Sequence, residues 1–512
     1  MGRWSLGLSV GLVAGWACGP GTFDCTQSSD CEGAGQAGQC VSGLCAFPDE
    51  GCDSGLRYGE HSGGLSGQCV EVEGSTTAGL DSSGPSTTSS ATSTTGSTDD
   101  GPMLDESAGE TGPGPIEFTD DELDGEFGEG VFDGTTWTDL RLAMEPGAGQ
   151  GSFTSRIYDA GAVAVWDSLQ WWPDAPYGKA LPDRAQPERG YDAGAVDMRS
   201  NVLLMHMDGE ALLADGDLVP DASGAGSDGL VISDGGPIAL VPGVFGQALD
   251  DHIASRIAIP TALAPGLSFG EDDFTWSMWF RFDHDCASNN VFMGVDNADG
   301  SDTHPHLWLG CTDDPWSQCS ELTGPRAAGV FRAVHDDTGD GAFFCSDETV
   351  RGDQWHHVLV VKQGHPEGEV WLALDGQVGP AVPGTFGGPM EYPDEPDFTI
   401  GAFSRGTYPS EGVLDEVAIW RRALTAAEAV DVYRRGVTAL QVSVRVCSEP
   451  DCADEPDFEG PFVDPAGVLS PGAVLPLSTL PPGRYVQYRV QMWGASAVPV
   501  PALAAVTVRG HI

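Results

Sequence analysis

Thirteen cysteines give this 512-residue chain its first possible chemistry. Six crowd together (Cys25, Cys31, Cys40, Cys45, Cys52, Cys69), four lie mid-chain (Cys286, Cys311, Cys319, Cys345) and two near the end (Cys447, Cys452). Every group is even once Cys18 is set aside. Even groups in an exported chain read as disulfides, and a thiol left over reads as a modified one. Zinc is the rival for the first group, but no C-x2-C pair exists there and His61 is the only histidine nearby. Other reactive types are thinner. His304 and His306 in "HPH" have the same strand parity, yet Pro305 marks a strand entry rather than a site. His356 and His357 in "WHH" are expected on opposite faces of a strand, one buried and one exposed. G-x-S-x-G occurs at 7–11 and 266–270. The first copy belongs to an apolar leader, and the second precedes a strand, whereas a nucleophile elbow needs a strand followed by a helix. No catalytic constellation emerges, and the chain reads as a non-enzyme.

The elements that carry these residues begin with a leader. Residues 1–17 hold Arg3 and then "LGLSVGLVAGWA", which has signal-peptide proportions and is too short to span a bilayer. "VAGWAC" resembles the lipobox of bacterial lipoproteins, which implies that Cys18 is acylated; Gly15 stands where leucine is usual and Trp16 is bulky for its place. Ordinary cleavage near Ala17 is the alternative. Residues 18–73 then form a cysteine-rich module too poor in apolar side chains to fold on a core. Three bridges, each contributing about 2–4 kcal/mol, would replace that core, and fifteen pairings stay open. Residues 74–115 are a Ser/Thr/Gly/Pro tract that cannot offset ordering entropy by burial, so a disordered linker is expected. The formal charge of −54 disfavours nucleic acid and anionic lipid headgroups as partners and supplies oxygen ligands for divalent cations. Membrane contact is therefore expected only through the lipid anchor, with the protein at an outer membrane or cell surface, or else secreted.

From residue 130 onward the pattern is of strands. "ALQVSVRVC" alternates strictly, placing Leu440, Val442, Val444 and Val446 on one face and Gln441, Ser443 and Arg445 on the other. Trp171 and Trp172 are adjacent, so one ring must face outward if they lie in a strand. Residues 116–199 and 437–512 are each too short for a sandwich alone, and we read them as two halves of one discontinuous β-sandwich. Between them, 200–436 is a succession of short strands with turn residues, an all-β sandwich. One helix interrupts it: "LTAAEAVDVYRRG" has Thr425 and Glu428 as a capping box, Val430 and Tyr433 on one face, Arg434 and Arg435 at the negative end and Gly436 at the stop. If 274–285, 291–295, 307–310 and 329–334 form an antiparallel meander, the loop cysteines pair as Cys286–Cys311 and Cys319–Cys345.

The pieces "DASGAGSDG", "FGQALD", "FTWSMWFR", "WHHVLVV", "VWLALDGQ" and "GVLDEVAIWRRALTAAEAVDVYRRG" resemble the laminin G-like jellyroll of the concanavalin A-like lectin/glucanase superfamily. The flanks, in "SFTSRIYDAG", "VSVRVCSEPDC" and "GRYVQYRV", resemble a module of large exported bacterial proteins, in which Cys447 and Cys452 would close a small loop. The expected fold class is thus all-β: a LamG-like jellyroll inserted in a discontinuous sandwich, preceded by the disulfide-rich module and the disordered linker. The first resemblance implies two antiparallel sheets, binding through a concave face or rim loops, and often a structural calcium, for which Asp221 and Asp415 are the candidate ligands. "DNADGSD" (296–302) and "DDTGDG" (336–341) are acidic turns that fit no EF-hand. Glucan hydrolases of the superfamily present an E-x-D-x-E strand. Its nearest match, "ELDGE" (Glu122, Asp124, Glu126), lies outside the jellyroll, while Asp415 and Glu416 are expected on opposite faces. Trp308, Trp316 and Trp371 could stack on sugars if they line the concave face, with core packing as the alternative, and of Trp276 and Trp279 one is expected in the core. The function this supports is cell-surface binding of a glycan or glycoprotein. An extracellular glycan hydrolase and a purely structural envelope lipoprotein are the alternatives.

Overall fold

The computed structural model describes residues 114–512 apart from the short segments 124–125, 210, 234–235, 252–254, 283–285, 287–289, 297–304, 314–323, 334–338, 392–396, 404–405, 454–456, 464–473 and 496–497, together with 32–33, 36–37, 39–41, 44–48 and 56–58 nearer the start. Cys18, Cys25, Cys31, Cys52, Cys69 and Cys319, the leader and the 74–113 tract lie outside the described residues, as do Asp124, His304 and Trp316. The chain divides into two units, Met1–Glu106 and Ser107–Ile512. In the first, Gln39–Val41, Leu44–Pro48 and Leu56–Tyr58 form an antiparallel ladder in which Cys40 stands opposite Cys45.

The second unit is all β except for one α-helix among the described residues, and its jellyroll is two antiparallel sheets. One sheet centres on Gly412–Trp420, Phe274–Arg281, His356–Gln363 and Glu367–Leu374. We call it the helix-side sheet. The far sheet runs through Phe398–Ile400, Asn290–Val295, His306–Thr312, Arg326–Arg332 and Ala342–Cys345. Alternate apolar residues from both interdigitate, among them Trp276, Met278, Phe280, Phe292, Leu309, Phe331 and Ile419. The meander is therefore corrected at its first strand: Phe274–Arg281 pairs with His356–Gln363 and Gly412–Trp420 in the opposite sheet. The chain crosses between sheets before Asn290, and the Cys286–Cys311 disulfide forms at that crossing, with Cα atoms 6.1 Å apart. Cys345 is also disulfide-bonded.

The outer face of the helix-side sheet is not open to solvent. Leu181, Val196 and Met198 pack on it together with Leu424, Ala429 and Val432, burying Trp371 and Trp420. Two stretches of chain thus form a third layer, the segment 177–198 and the helix Ala426–Val437. The helix starts as its sequence requires: Thr425 accepts from the Glu428 N–H and Glu428 accepts from the Thr425 N–H. Its end differs from expectation. It continues through Gly436 to Val437, and the Thr438 hydroxyl and N–H both cap the Arg434 carbonyl. Gly436 serves close approach instead, since a Cβ there would lie 2.4 Å from the Trp279 ring. Arg434 and Arg435 are buried rather than solvated at the helix end. Arg435 donates to Glu188 at 2.6 and 3.1 Å and to the carbonyls of Lys179 and Ala180, which bolts the helix to the covering segment.

The flanking stretches build one further sandwich. Strands from 115–173 and from 439–511 interleave in a single hydrogen-bonded system, so neither stretch has a core without the other. Tyr158–Pro173 pairs at its start with Gly483–Trp493 and at its end with Ala502–His511, with register shifts between, and so passes from one layer to the other. Phe153, Trp166, Trp171, Val442, Val490 and Leu503 fill the interior. Buried Asp120 accepts hydrogen bonds from the hydroxyls of Tyr158 and Tyr488, tying the Pro115–Asp120 strand to both. Cys447 and Cys452 are joined, closing the short loop after the Ala439–Cys447 strand.

Candidate functional site

The residues proposed from sequence for metal binding are not brought together. One Asp221 oxygen accepts the N–H groups of Leu204 and Ser223, and the other accepts from the Ser223 hydroxyl and the Ser227 N–H. This carboxylate organises its own loop. Asp415 is fully buried, with one oxygen accepting the N–H groups of Val244 and Phe245 at 2.7 and 3.1 Å and the other without a partner. Burial, and then the neighbouring Glu416, raise its pKa to about 8. Among the described residues no cluster of three or more His, Cys, Asp or Glu side chains is arranged to hold a metal ion. Of the acidic turns, Asp340 accepts the N–H groups of Ala333 and Gly387.

Three expectations within the jellyroll are corrected. Asp415 and Glu416 do not split between faces. An extra residue between the pairs Ser277↔Ala418 and Trp279↔Asp415, with Glu416 at φ +50°, makes a bulge that turns both carboxylates toward the covering layer. Glu416 accepts from the Leu181 N–H and binds His206 at 2.6 Å, with Asp183 on the other ring nitrogen. Burial opposes the charge on His206, but the bonds to Glu416 and Asp183 prevail and raise its pKa to about 9. At 0% and 2% exposure neither carboxylate can reach a substrate. Second, His356 and His357 are both buried, because both faces of their sheet are covered. His356 lies against Phe280 and binds Asp375; His357 bonds to Ser277 beside Trp279, and burial lowers its pKa to about 4. Third, of the tryptophans offered for sugar stacking, Trp371 and Trp308 are packing residues, and Trp316 lies outside the described residues. Trp371 lies in the covered layer, and Trp308 is enclosed with Val291, Val330 and Phe403. Trp276 fills the core and Trp279 stacks on Tyr433 of the helix. His306 is held by Asp296 at 3.2 Å. Outside the jellyroll, Glu126 folds back onto the N–H groups of Asp121 and Glu122, which caps a turn rather than building a catalytic strand.

The flanking sandwich presents an outward-facing aromatic side chain beside carboxylates. Trp171 points into the core, and Trp172 points out, half-buried, as strand parity requires. Trp172 lines an indentation of about 370 Å³ with Thr119, Asp121, Asp174, Asp192 and Gly190. Arg141 bridges Asp174 and Asp192 across one side of it, and the Tyr177 hydroxyl donates to Asp174. An aromatic ring edged by carboxylates and a hydroxyl can pack on the C–H face of a sugar and accept from its hydroxyls. Trp172 was legible from its neighbour. Its companions, drawn from positions 119 to 192, were not, because only the fold joins them.

Among the described residues no helix is long and apolar enough to cross a membrane, a statement that leaves strand-built spans untouched. No curated protein matches the chain by sequence. Among solved structures the chain is similar to domain 4 of an extracellular arabinanase from Geobacillus stearothermophilus in complex with arabinotriose, at 17% identity over 46% of this chain and 98% of that one, TM-score 0.32. It is also similar to Trypanosoma rangeli sialidase, at 15% identity over 46% and 32%, TM-score 0.30. A third is the binding domain of Paraclostridial Mosquitocidal Protein 1, at 13% identity over 49% and 54%, TM-score 0.31. The chain spans less than two thirds of the latter two. Residues 256–430, the greater part of the jellyroll, match the family model described as the concanavalin A-like lectin/glucanases superfamily.

Proposed function

We propose that this chain is a non-catalytic binding protein for a glycan or glycoprotein, exported and held at the cell surface by a lipid on Cys18. The observation that carries the binding reading is Trp172, a half-buried ring in an indentation edged by Asp121, Asp174, Asp192 and Thr119. Its partly dry setting favours stacking on a sugar, and the carboxylates supply acceptors for hydroxyls. The jellyroll supports this as a scaffold in which Trp276, Trp279, Trp308, Trp371 and Trp420 are taken up in packing. The assignment moves the binding surface from the jellyroll, where the resemblance put it, to the sandwich that holds it.

The test is a glycan array with the whole chain, wild type and Trp172→Ala, in the presence and absence of a chelator. A bound glycan lost on Trp172→Ala supports the proposal. No ligand under either condition, or a ligand indifferent to Trp172, refutes this site. Loss on chelation alone brings the calcium expected from the family resemblance into the complex. Cys18→Ser should release the protein from membranes, and unchanged detergent partitioning overturns the anchor.

A further inference from the structure

The other open surface of the sandwich has the opposite chemistry. Between the strands Ala439–Cys447, Glu459–Val463 and Gly483–Trp493 lies a cleft of about 820 Å³ whose floor includes Ser443, Arg445, Phe458, Arg489 and Gln491. The strand register sets Ser443 opposite Arg489 and Arg445 opposite Gln487, so the two arginines are diagonal neighbours on one face. Both guanidiniums lie over the Phe458 ring, 4.8 and 4.0 Å from its centre. In a chain this acidic such a pair is unexpected. Arg199, Arg421, Arg422, Arg435, Arg484 and Arg509 each bridge a carboxylate. Arg445 and Arg489 do not, among the described residues, although Asp451 and Asp457 line the same cleft.

Their donors are partly committed, and to neutral groups. Arg445 gives Nε and Nη2 to the Gln487 amide oxygen, whose own NH2 is fixed on the Ser155 carbonyl. Arg489 reaches only the Thr154 hydroxyl, through Nε at 3.4 Å. Nη1 of Arg445 and both terminal nitrogens of Arg489 have no acceptor among the described residues. Two like charges held side by side with no carboxylate paired to either among the described residues are mutually unfavourable, and Gln487 and Phe458 fix them in place nonetheless. A planar anion offered to that pair gains fork hydrogen bonds and relieves the repulsion.

From this geometry we infer a second ligand site, at Arg445 and Arg489, for an isolated carboxylate carried by an acidic sugar. The inference rests on the reading of the chain as a glycan binder, but it uses a different site. A polyanion is disfavoured by the net charge of −54 and by Asp451 and Asp457 on the cleft wall, whereas a single carboxylate can sit within hydrogen-bond reach of both guanidiniums, with charges beyond about 8 Å screened at physiological salt. Ser443 and Gln491 supply the neutral partners that sugar hydroxyls need.

The experiment compares 4-nitrophenyl β-D-glucuronide with 4-nitrophenyl β-D-glucoside by calorimetry on the whole chain at about 0.15 M salt. The glucuronide should bind at least about tenfold more tightly, as expected of a charge-assisted fork. Arg445→Gln and Arg489→Gln should each erase that preference, while Trp172→Ala leaves it intact, which separates this site from the one proposed above. Equal affinity for the two probes, binding of neither, or a preference that survives both substitutions overturns the proposal. An acetylated dipeptide acid that binds as tightly as the glucuronide would transfer the site to peptide termini and overturn the sugar assignment. The comparison of the two probes on the wild-type chain decides the matter even where a substitution prevents folding.

Discussion

The jellyroll and the sandwich around it use similar strands to opposite ends. In the jellyroll both faces of the helix-side sheet are buried, one against the far sheet and the other beneath the helix and the 177–198 segment. That third layer takes up Trp279, Trp371, Trp420, His357 and the adjacent carboxylates Asp415 and Glu416. The sandwich has a small buried cluster at Tyr485, Cys447 and Cys452 on its outer side but leaves other stretches of that side open, and Trp172, Arg445 and Arg489 emerge there. A family resemblance located in one domain therefore need not locate the ligand in it. The extra layer closes the outer face of the helix-side sheet.

The sharpest way to break this contrast is to attack the layer. Arg435→Ala strands Glu188, only 7% exposed in its side chain, and frees two carbonyls, for an expected loss of about 3–5 kcal/mol. Trp279→Ala opens a cavity between sheet and helix at a similar cost of about 3–5 kcal/mol. Denaturant titration checks both, and midpoints that do not move would mean the layer is dispensable. On the sandwich, Trp172→Ala should cost under about 1 kcal/mol in the same titration while abolishing glycan retention. A comparable loss of stability there would make Trp172 one more packing residue.

Stability against pH sharpens the comparison next, because the titrating groups sit under the layer. Asp415 keeps its proton in the folded chain up to about pH 8, whereas the unfolded chain releases it near 3.8, so folding becomes progressively less favourable between those values. His206 has a pKa raised to about 9, so its contribution is complete below about 6.5, the ordinary histidine value, and disappears as pH rises through 9. Asp415 and His206 act in one direction, whereas His357, its pKa lowered to about 4 by burial, acts in the other: the unfolded chain holds that proton up to about 6.5, so its penalty is relieved as pH rises from 4 to 6.5 and offsets Asp415 there. The jellyroll should therefore lose stability chiefly from about pH 6.5 to 9. Asp415→Asn keeps an acceptor for Val244 and Phe245 and removes one titration, so its profile should fall less steeply above about pH 6.5 and lie above the wild type at pH 8. Thermal unfolding across that range measures it, and parallel profiles would contradict the assignment. The smallest effect is expected on the sandwich surface, where Arg484→Ala breaks a solvent-screened pair with Asp159 and should leave the denaturation midpoint essentially where it is.

Much of the architecture was readable in advance because it depends on local period. Alternation in "ALQVSVRVC" set the inward valines, parity set one of Trp171 and Trp172 outward, and Thr425 with Glu428 marked a helix start. The errors arose where distant chain intervened. Parity assigned one of His356 and His357 to solvent, and no local pattern reveals that another segment will lie over it. Period two also fails at a bulge, which is why Asp415 and Glu416 were misplaced. Arg445 was correctly outward, but its neighbour Arg489 depends on strand register, and two outward arginines become a site only when Ser443 meets Arg489.

Composition and order alone determined that this chain is built of strands, that its cysteines fall into even groups beside Cys18, and that a jellyroll interrupts a second domain. The strands follow from side-chain period and turn residues and the cysteine groups from a count, each local in sequence, while the jellyroll came from the resemblance its motifs carry. Only tertiary structure decided which faces remain open. Burial of a sheet face is fixed by whatever packs on it, and here that is a segment and a helix separated by more than two hundred residues.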